Sequence, residues 1–464
     1  MGTLTSFYLI GMAIFVVIYV MTQVARGKEE LVSLRNFFLA GMIIFQITGT
    51  AASVLTNDTA FFHPTDVDGT SVIFSAMLTV FMVIFFVSYQ YSTRHVDKFF
   101  QRKPENKAVY SPFGLMMIAA VMIGVGILSQ YVLVYTPVLG PGFQRLAYGL
   151  YAIAAGLATW AAAPRLLNPF FLFTAAAIIL LSMGLTFAQN FGRRDLLGVV
   201  LAVLWALYFS HWRYFPFKTI FFRMGVVSIA GLILLALVTS ARSGEFRDQS
   251  AMQNISTLKD ASAGEGIKDV LYGQRAGLNS MWLIESRPDS HPYDTLHSLR
   301  LVLSFPIPRS IWVGKPDALG FTMPETEVKV SGKGEGWNIG PGVIGHIAND
   351  NPFIALWLYP IILGFSIRFF DRAVIWFSSN PFIVLPMGAA IGQFIALARG
   401  ELGTFFFLAL LNIISAFVLM KIISWALKLI GWIKVEEGSW DDLSWDSDAT
   451  YDSEYDYDEA YSDY

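Results

Sequence analysis

Residues 70–89 read TSVIFSAMLTVFMVIFFVSY, twenty residues without a charge or a proline. As an α-helix rising 1.5 Å per residue, such a run is about 30 Å long, the thickness of a bilayer's hydrocarbon core. The apolar residues are continuous rather than alternating, which points to a helix and away from a membrane β-barrel. Comparable runs recur along most of the 464 residues. The spacing predicts eleven spans, at 4–24, 34–55, 70–89, 113–135, 142–162, 168–188, 195–210, 219–240, 352–367, 382–398 and 402–420. The composition agrees: 55% of residues are hydrophobic and 14% charged, against roughly a quarter charged in soluble domains. The expected fold class is an all-α polytopic integral membrane protein with a large extracytoplasmic loop subdomain and a disordered acidic tail.

Cysteine is absent, which excludes thiolate catalysis, zinc–thiolate sites and disulfides. The first span has no basic region before it and no small-residue cleavage site after it, so it reads as a retained helix. Lysines and arginines in short loops are retained in the cytoplasm. Arg26, Lys28 and Arg35 follow the first span; Arg94, Lys98, Arg102, Lys103 and Lys107 follow the third. The loop after the second, TNDTAFFHPTDVDG (56–69), has none. This alternation predicts an outside N-terminus and an inside C-terminus.

Four regions follow: spans one to eight in 1–240, a long outer loop at 241–351, spans nine to eleven in 352–434, and a tail at 435–464. The loop carries Trp282, Trp312, Trp337 and short amphipathic runs, and is expected to fold as a small subdomain on the bilayer surface. The tail holds twelve of the 35 acidic residues and no base, leaving a body with 32 basic and 23 acidic residues. Such a segment cannot bury a core and is expected to be disordered. It reads as a solvated tail or as a docking or tyrosine-phosphorylation segment. No internal repeat of the kind that builds inverted-repeat transporters is visible.

Arginine is scarce in outer loops unless something requires it. Arg193 and Arg194 sit at the outer mouth of span seven, Arg309 and Lys315 lie in the loop, and Arg399 follows span ten. A guanidinium fork matches phosphate oxygens, so an anionic substrate is one reason to keep them; pairing with acids or lipid headgroups is the other. In FPIPRSIWVGKP (305–316) three prolines hold the backbone extended and fix the directions of Arg309 and Lys315. Trp312 between them is either an interface anchor or a platform for a sugar ring. In SGKGEGWNIGPGVIGH (331–346) the glycines let backbone approach a ligand, and Glu335, Asn338 and His346 are polar groups of catalytic type. His346 and Asp350 share a helical face at i, i+4. His291, His297 and Glu285 compete with them as proton acceptors. There is no Walker loop and no HExxH motif, and the acids of the first outer loop do not read as a metal site. Few ionisable groups fall within the expected spans, which argues against a proton-driven pump.

FPIPRSIWVGKP in a late outer loop, GEGWNIGPGVIG before the next span, and arginines at outer span ends resemble the Wzy-type O-antigen (oligosaccharide repeat unit) polymerases. The resemblance covers about 190–400. Some of these enzymes carry an arginine and a glycine separated by ten residues, as Arg309 and Gly320 are. The resemblance implies a bacterial inner-membrane glycosyltransferase, related in fold to O-antigen ligases, that needs no cofactor or metal. A sugar hydroxyl of one carrier-linked oligosaccharide attacks the anomeric carbon of another, and polyprenyl pyrophosphate leaves. On that reading Arg193, Arg194, Arg309, Lys315 and Arg399 hold the pyrophosphate, Trp312 and Trp337 hold sugar, and His346 or Glu335 takes the acceptor proton. The expected partners are the lipid-linked oligosaccharide, membrane lipids and, through the tail, a chain-length regulator or tyrosine kinase, with no nucleic acid. A ligase with the same donor and a non-enzymatic polysaccharide flippase are the competing readings.

Overall fold

The computed structural model describes residues 2–56, 62–101, 108–136, 140–190, 193–241, 275–309, 311–323, 339–432 and 435–437. The apolar runs form helices throughout. In chain order these are α1 (Gly2–Ala25), α2 (Leu34–Gly41), which continues through a π-helical stretch (Met42–Thr48) into α3 (Gly49–Leu55), α4 (Val67–Tyr91), and a short amphipathic α5 (Thr93–Gln101). Then come α6 (Pro112–Tyr131), α7 (Gly140–Ala162), α8 (Pro169–Asn190), α9 (Arg193–Ser210) and α10 (Phe217–Ala241). The loop region contributes α11 (Ala276–Ser286), α12 (His297–Ser304), α13 (Leu319–Thr322) and α14 (Gly342–Asn349). The last three are α15 (Pro352–Trp376), α16 (Pro381–Leu397) and α17 (Leu402–Leu429). Two three-residue strands, β1 (Ala108–Tyr110) and β2 (Val435–Glu437), pair antiparallel, Tyr110 opposite Val435.

Among the described residues, eight helices are long and apolar enough to cross a membrane, and Asp195–Ser210 and Pro381–Leu397 are apolar but shorter. The chain is a polytopic helical membrane protein. Helix starts follow ordinary rules: Ser33, Asp66, Ser111, Asn351 and Asn380 each cap a helix with a side-chain oxygen, and Pro112, Pro352 and Pro381 occupy first-turn positions.

The helix ends gather on two opposite faces. One, here the tail face, joins the ends of α1, α4 and α15 to the start of α2, and brings β2 beside β1. Tyr110 stacks on Phe382 there, with ring centroids 4.2 Å apart. The other, the loop face, joins the starts of α1 and α4 through Gly2 N–H and Asp68 (2.6 Å) and carries α11–α14. The loop helices form a small cluster of their own, with Leu283, Leu319, Met323 and Ala348 packed around Phe62, and also join the bundle. Leu278 and Met281 of α11 and Val343, Ile344 and Ile347 of α14 belong to the same buried cluster as Phe38, Phe85 and Phe394 of the bundle. Glu285 of α11 clamps the loop region to α4, accepting Thr65 N–H (2.7 Å) and Asp66 N–H (2.8 Å).

One expectation is corrected. The ninth span does not end at 367; α15 continues to Trp376 and carries Arg368, Asp371 and Arg372. Arg35, Arg368 and Asp371 are buried near the tail-face ends of their helices. The residues RFFDR (368–372) look like a polar loop because three of five are charged, yet they stay helical because each charge finds a partner.

Candidate functional site

His346 on α14 is fully buried, and both ring nitrogens are engaged. Leu402 N–H points at Nε2 (3.2 Å), so that nitrogen is an acceptor. The proton then sits on Nδ1 and donates to Ser298 Oγ (2.9 Å). Asp350, one turn later, accepts Ser298 N–H (2.6 Å), so the predicted i, i+4 pair does converge, on Ser298 of α12. Glu401, which precedes α17, lies 3.4 Å from His346 Nε2 and accepts the N–H groups of Leu319 (3.0 Å) and Gly320 (2.9 Å). Burial pulls the imidazole down to about 4 and pushes the Glu401 carboxyl up to about 7. The pair thus resists carrying charge, and it fastens α12, α13 and α14 to the α16–α17 turn. Gly342 is required at this joint. Its φ is +68°, and a Cβ there would fall 1.9 Å from Gln46 Nε2 of the π-helical stretch, which itself donates to Ala398 O (2.7 Å).

The proline-framed motif is not extended as expected; it closes on itself through turns, with the N–H groups of Ile311 and Trp312 donating to Pro308 O (both 3.0 Å) and Lys315 N–H to Trp312 O (3.2 Å). Lys315 Nζ donates to the carbonyls of Phe305 (3.0 Å) and Ile307 (3.1 Å), and Arg309 pairs with Asp317. Burial and the nearby Arg309 lower the Lys315 amine. Phe305 stacks on Phe407 of α17 at 4.5 Å, while Ile311, Trp312 and Val313 are exposed at the tip. The Arg399 guanidinium lies 5.9 Å from the Phe45 ring centre. His297 is held by Asp294 and by Asp317 O. His291 lies beside Trp282, with ring centroids 6.5 Å apart. Glu335, Trp337 and Asn338 lie outside the described residues, as does the tail beyond Glu437. Arg193 and Arg194 open α9 at the loop face; their side chains lie outside the description as well.

A small polar cleft opens between α7, α9, α16 and α17, with about 20 Å³ of space, room for about one water. Small residues create it: Gly149 and Ala152 on α7, Gly198 on α9, and Ala389 and Gly392 on α16. A Cβ added at Gly198 would meet nothing within 4 Å. Arg145, Asp195 and Gln393 line the cleft close to the loop-face ends of their helices; Asn412 lines it further in. Asn412 is ten residues into α17, about 15 Å along the helix. The Gln393 carbonyl oxygen is buried without a hydrogen-bond partner. None of the residues singled out from the sequence lines this cleft, although Arg193 and Arg194 immediately precede Asp195.

No family model matches the chain. Neither does any curated protein or solved structure.

The tail face carries a cluster of a different kind. Asp371 accepts Leu34 N–H (2.7 Å), Arg35 N–H (3.2 Å) and the Tyr89 hydroxyl (3.0 Å). Glu29 takes Arg368 Nη1 at 2.9 Å and lies 3.5 Å from Arg35 Nη1. The two guanidinium groups lie over Tyr89, 5.1 and 4.7 Å from its ring centre. Beside them Glu30 holds Arg213 (2.9 Å) and Tyr208. Sequence reading missed this cluster and the cleft alike. The available signal for the cleft was a lone glutamine and a lone asparagine inside otherwise apolar spans. Among the described residues no three metal-ligating side chains gather.

Proposed function

We propose that the chain is a polymerase of lipid-linked oligosaccharide repeat units, with eleven spans, acting at the loop face, and that this face is extracytoplasmic. The observation that carries the reading is the polar cleft with Arg145 at its loop-face end. A pyrophosphate needs a cation close to the membrane surface, and its polyprenyl chain needs apolar helices alongside. Arg145, near the loop-face start of α7 and beside apolar helices, supports that reading. Arg193 and Arg194 open α9 and Arg399 lies in the α16–α17 turn, so their backbones also belong to the loop face. In the transition state these groups neutralise charge building on the departing pyrophosphate. The sugar hydroxyl loses its proton as the new glycosidic bond forms, and the anomeric carbon–oxygen bond to the pyrophosphate breaks.

Arg309 and Lys315 serve this reading by shape. Their charges are held within the motif, which presents Trp312 to a sugar ring or to the lipid surface. Glu335 and Trp337 keep the roles that the resemblance gives them, as acceptor base and sugar platform. His346 holds the loop helices in register unless the α12–α14 joint opens to admit an acceptor.

One observation favours a second reading. The cleft reaches well into the bundle, as a non-enzymatic flippase requires. Mass analysis of lipid-linked oligosaccharides in a deletion strain separates the readings. Single repeat units left on the carrier at the outer surface support the polymerase, and long chains not joined to an acceptor support the ligase relative. Repeat units trapped on the cytoplasmic surface support the flippase.

A further inference from the structure

We infer that the acidic C-terminal segment, residues 438–464, docks on the tail face of its own chain, across the exposed Arg94 and Lys98 of α5 and Lys421 and Lys428 of α17. This surface lies at the opposite end of the bundle from the loop face and holds whichever reaction the loop face performs.

The pairing of β1 with β2 fixes where the segment begins. Glu437, the last residue of β2, lies opposite Ala108, so the chain leaves the ribbon beside β1. Tyr110 of β1 stacks on Phe382, and Lys421 Nζ lies 5.8 Å from the centre of the same ring. Lys428 follows two turns later on α17 and is close enough to repel Lys421. On the other side in sequence, α5 ends at Gln101, seven residues before Ala108 and at most about 25 Å from it. That helix lays Val96 and Phe100 against the bundle and leaves Arg94 and Lys98 exposed. Both pairs of cations are thus within reach of the point where the segment starts.

Charge supplies the attraction. On this face Glu29 holds Arg35 and Arg368, Glu30 holds Arg213, and Asp97 holds Arg372. Asp371 is filled by the N–H groups of Leu34 and Arg35 and by Tyr89. The tail-face acids whose side chains are described are therefore committed. Arg94, Lys98, Lys421 and Lys428 form no ion pair among the described residues. Residues 438–464 hold ten of the twelve acids that follow Lys434, the other two being Glu436 and Glu437 of β2, and no base. One exposed pair contributes little in water. A tether changes the sum: a coil of 27 residues spans about 30 Å, so its carboxylates stand at roughly millimolar effective concentration over the patch and several weak pairs act together. Anionic lipid headgroups compete for the same cations, but they are not delivered beside β1 by a strand.

The test is zero-length carbodiimide coupling, which joins an ammonium to a carboxylate only where the two touch. Full-length protein, mixed from isotope-labelled and unlabelled chains, is placed in phosphatidylcholine bicelles with and without phosphatidylglycerol. In both, Lys98, Lys421 and Lys428 should couple to carboxylates of 438–464 within one chain. The yield should fall about tenfold between about 0.1 M and about 1 M salt, as the Debye length shrinks from about 10 to about 3 Å. The double variant Lys421→Gln, Lys428→Gln should lower coupling at Lys98 by about threefold or more, because the patch acts as a unit. A melting transition like that of the wild type confirms that the variant is folded. Coupling at Lys98 that the variant leaves unchanged overturns the shared patch. Coupling lost when phosphatidylglycerol is present overturns the inference and assigns the cations to lipid headgroups. Coupling chiefly between labelled and unlabelled chains overturns it in favour of a second copy. No coupling, or coupling indifferent to salt, means that the segment does not dock.

Discussion

The two faces of the bundle treat polar groups in opposite ways. At the tail face, Arg35, Arg368, Glu29, Asp371 and Tyr89 are buried together, and opposite charges meet within 3.5 Å. In the cleft, Arg145 has no ion pair among the described residues, and the Gln393 carbonyl has no donor. Removing ions from water costs several kcal/mol each, and only close pairing offsets it. The tail-face cluster, whose charges are paired although Arg35 Nη1 and Arg368 Nε lack hydrogen-bond partners, holds helices together, whereas the cleft carries an arginine without an ion pair among the described residues.

The largest effect that would test this contrast is on stability. Arg368→Ala leaves Glu29 buried without its 2.9 Å partner and should cost about 3–5 kcal/mol, seen as a lowered thermal midpoint in detergent. Replacing Glu29 and Arg368 together by Leu and Met should recover most of the loss. A wild-type midpoint in the single variant would remove the structural reading of the tail face. Arg145→Ala should do the reverse, keeping the midpoint while lowering polymer synthesis on the order of 100-fold, the typical cost of one transition-state charge partner.

A subtler effect comes from pH. The Glu401 carboxyl holds its proton more tightly when folded, so its contribution to stability declines as pH rises from 4.5 to about 7. The His346 imidazole is held neutral by burial, so its contribution grows from about pH 4 to 6.5. Between pH 4.5 and 6.5 the two oppose each other, and the wild-type midpoint should be nearly flat. Glu401→Gln removes the falling component, and its midpoint should climb across that window. A flat profile in the variant would mean that the buried pair is not what titrates. The smallest effect is expected at Lys315. Its amine bonds only carbonyls of its own loop, so Lys315→Met should change polymer yield by less than about threefold.

Each of the eleven apolar runs falls on a helix, because continuous apolar sequence has few other solutions in lipid. The backbone of residues 305–316 was not legible: the prolines were expected to hold it extended, and it folds through turns closed by Pro308 O and Trp312 O. What Arg309 and Lys315 bind was not legible either, because their partners, Asp317 and the carbonyls of Phe305 and Ile307, are fixed by how the loop closes. Arg145 was hidden because it lies inside an expected span, and Gly149 and Gly198 mark a cleft only once the neighbouring helices are placed. The tail-face cluster draws on residues more than 330 positions apart, such as Leu34 and Asp371, which periodicity cannot join.

The most direct test of the central claim is steric. Gly198→Leu puts a side chain into the cleft where the backbone leaves open space, and leucine suits a helix better than glycine does. Mass analysis of lipid-linked oligosaccharides from a deletion strain carrying this variant should find single repeat units on the carrier, with the protein present and folded in the membrane. Polymer of wild-type length and amount would contradict the claim that the cleft at the loop face is where the carrier-linked glycan reacts.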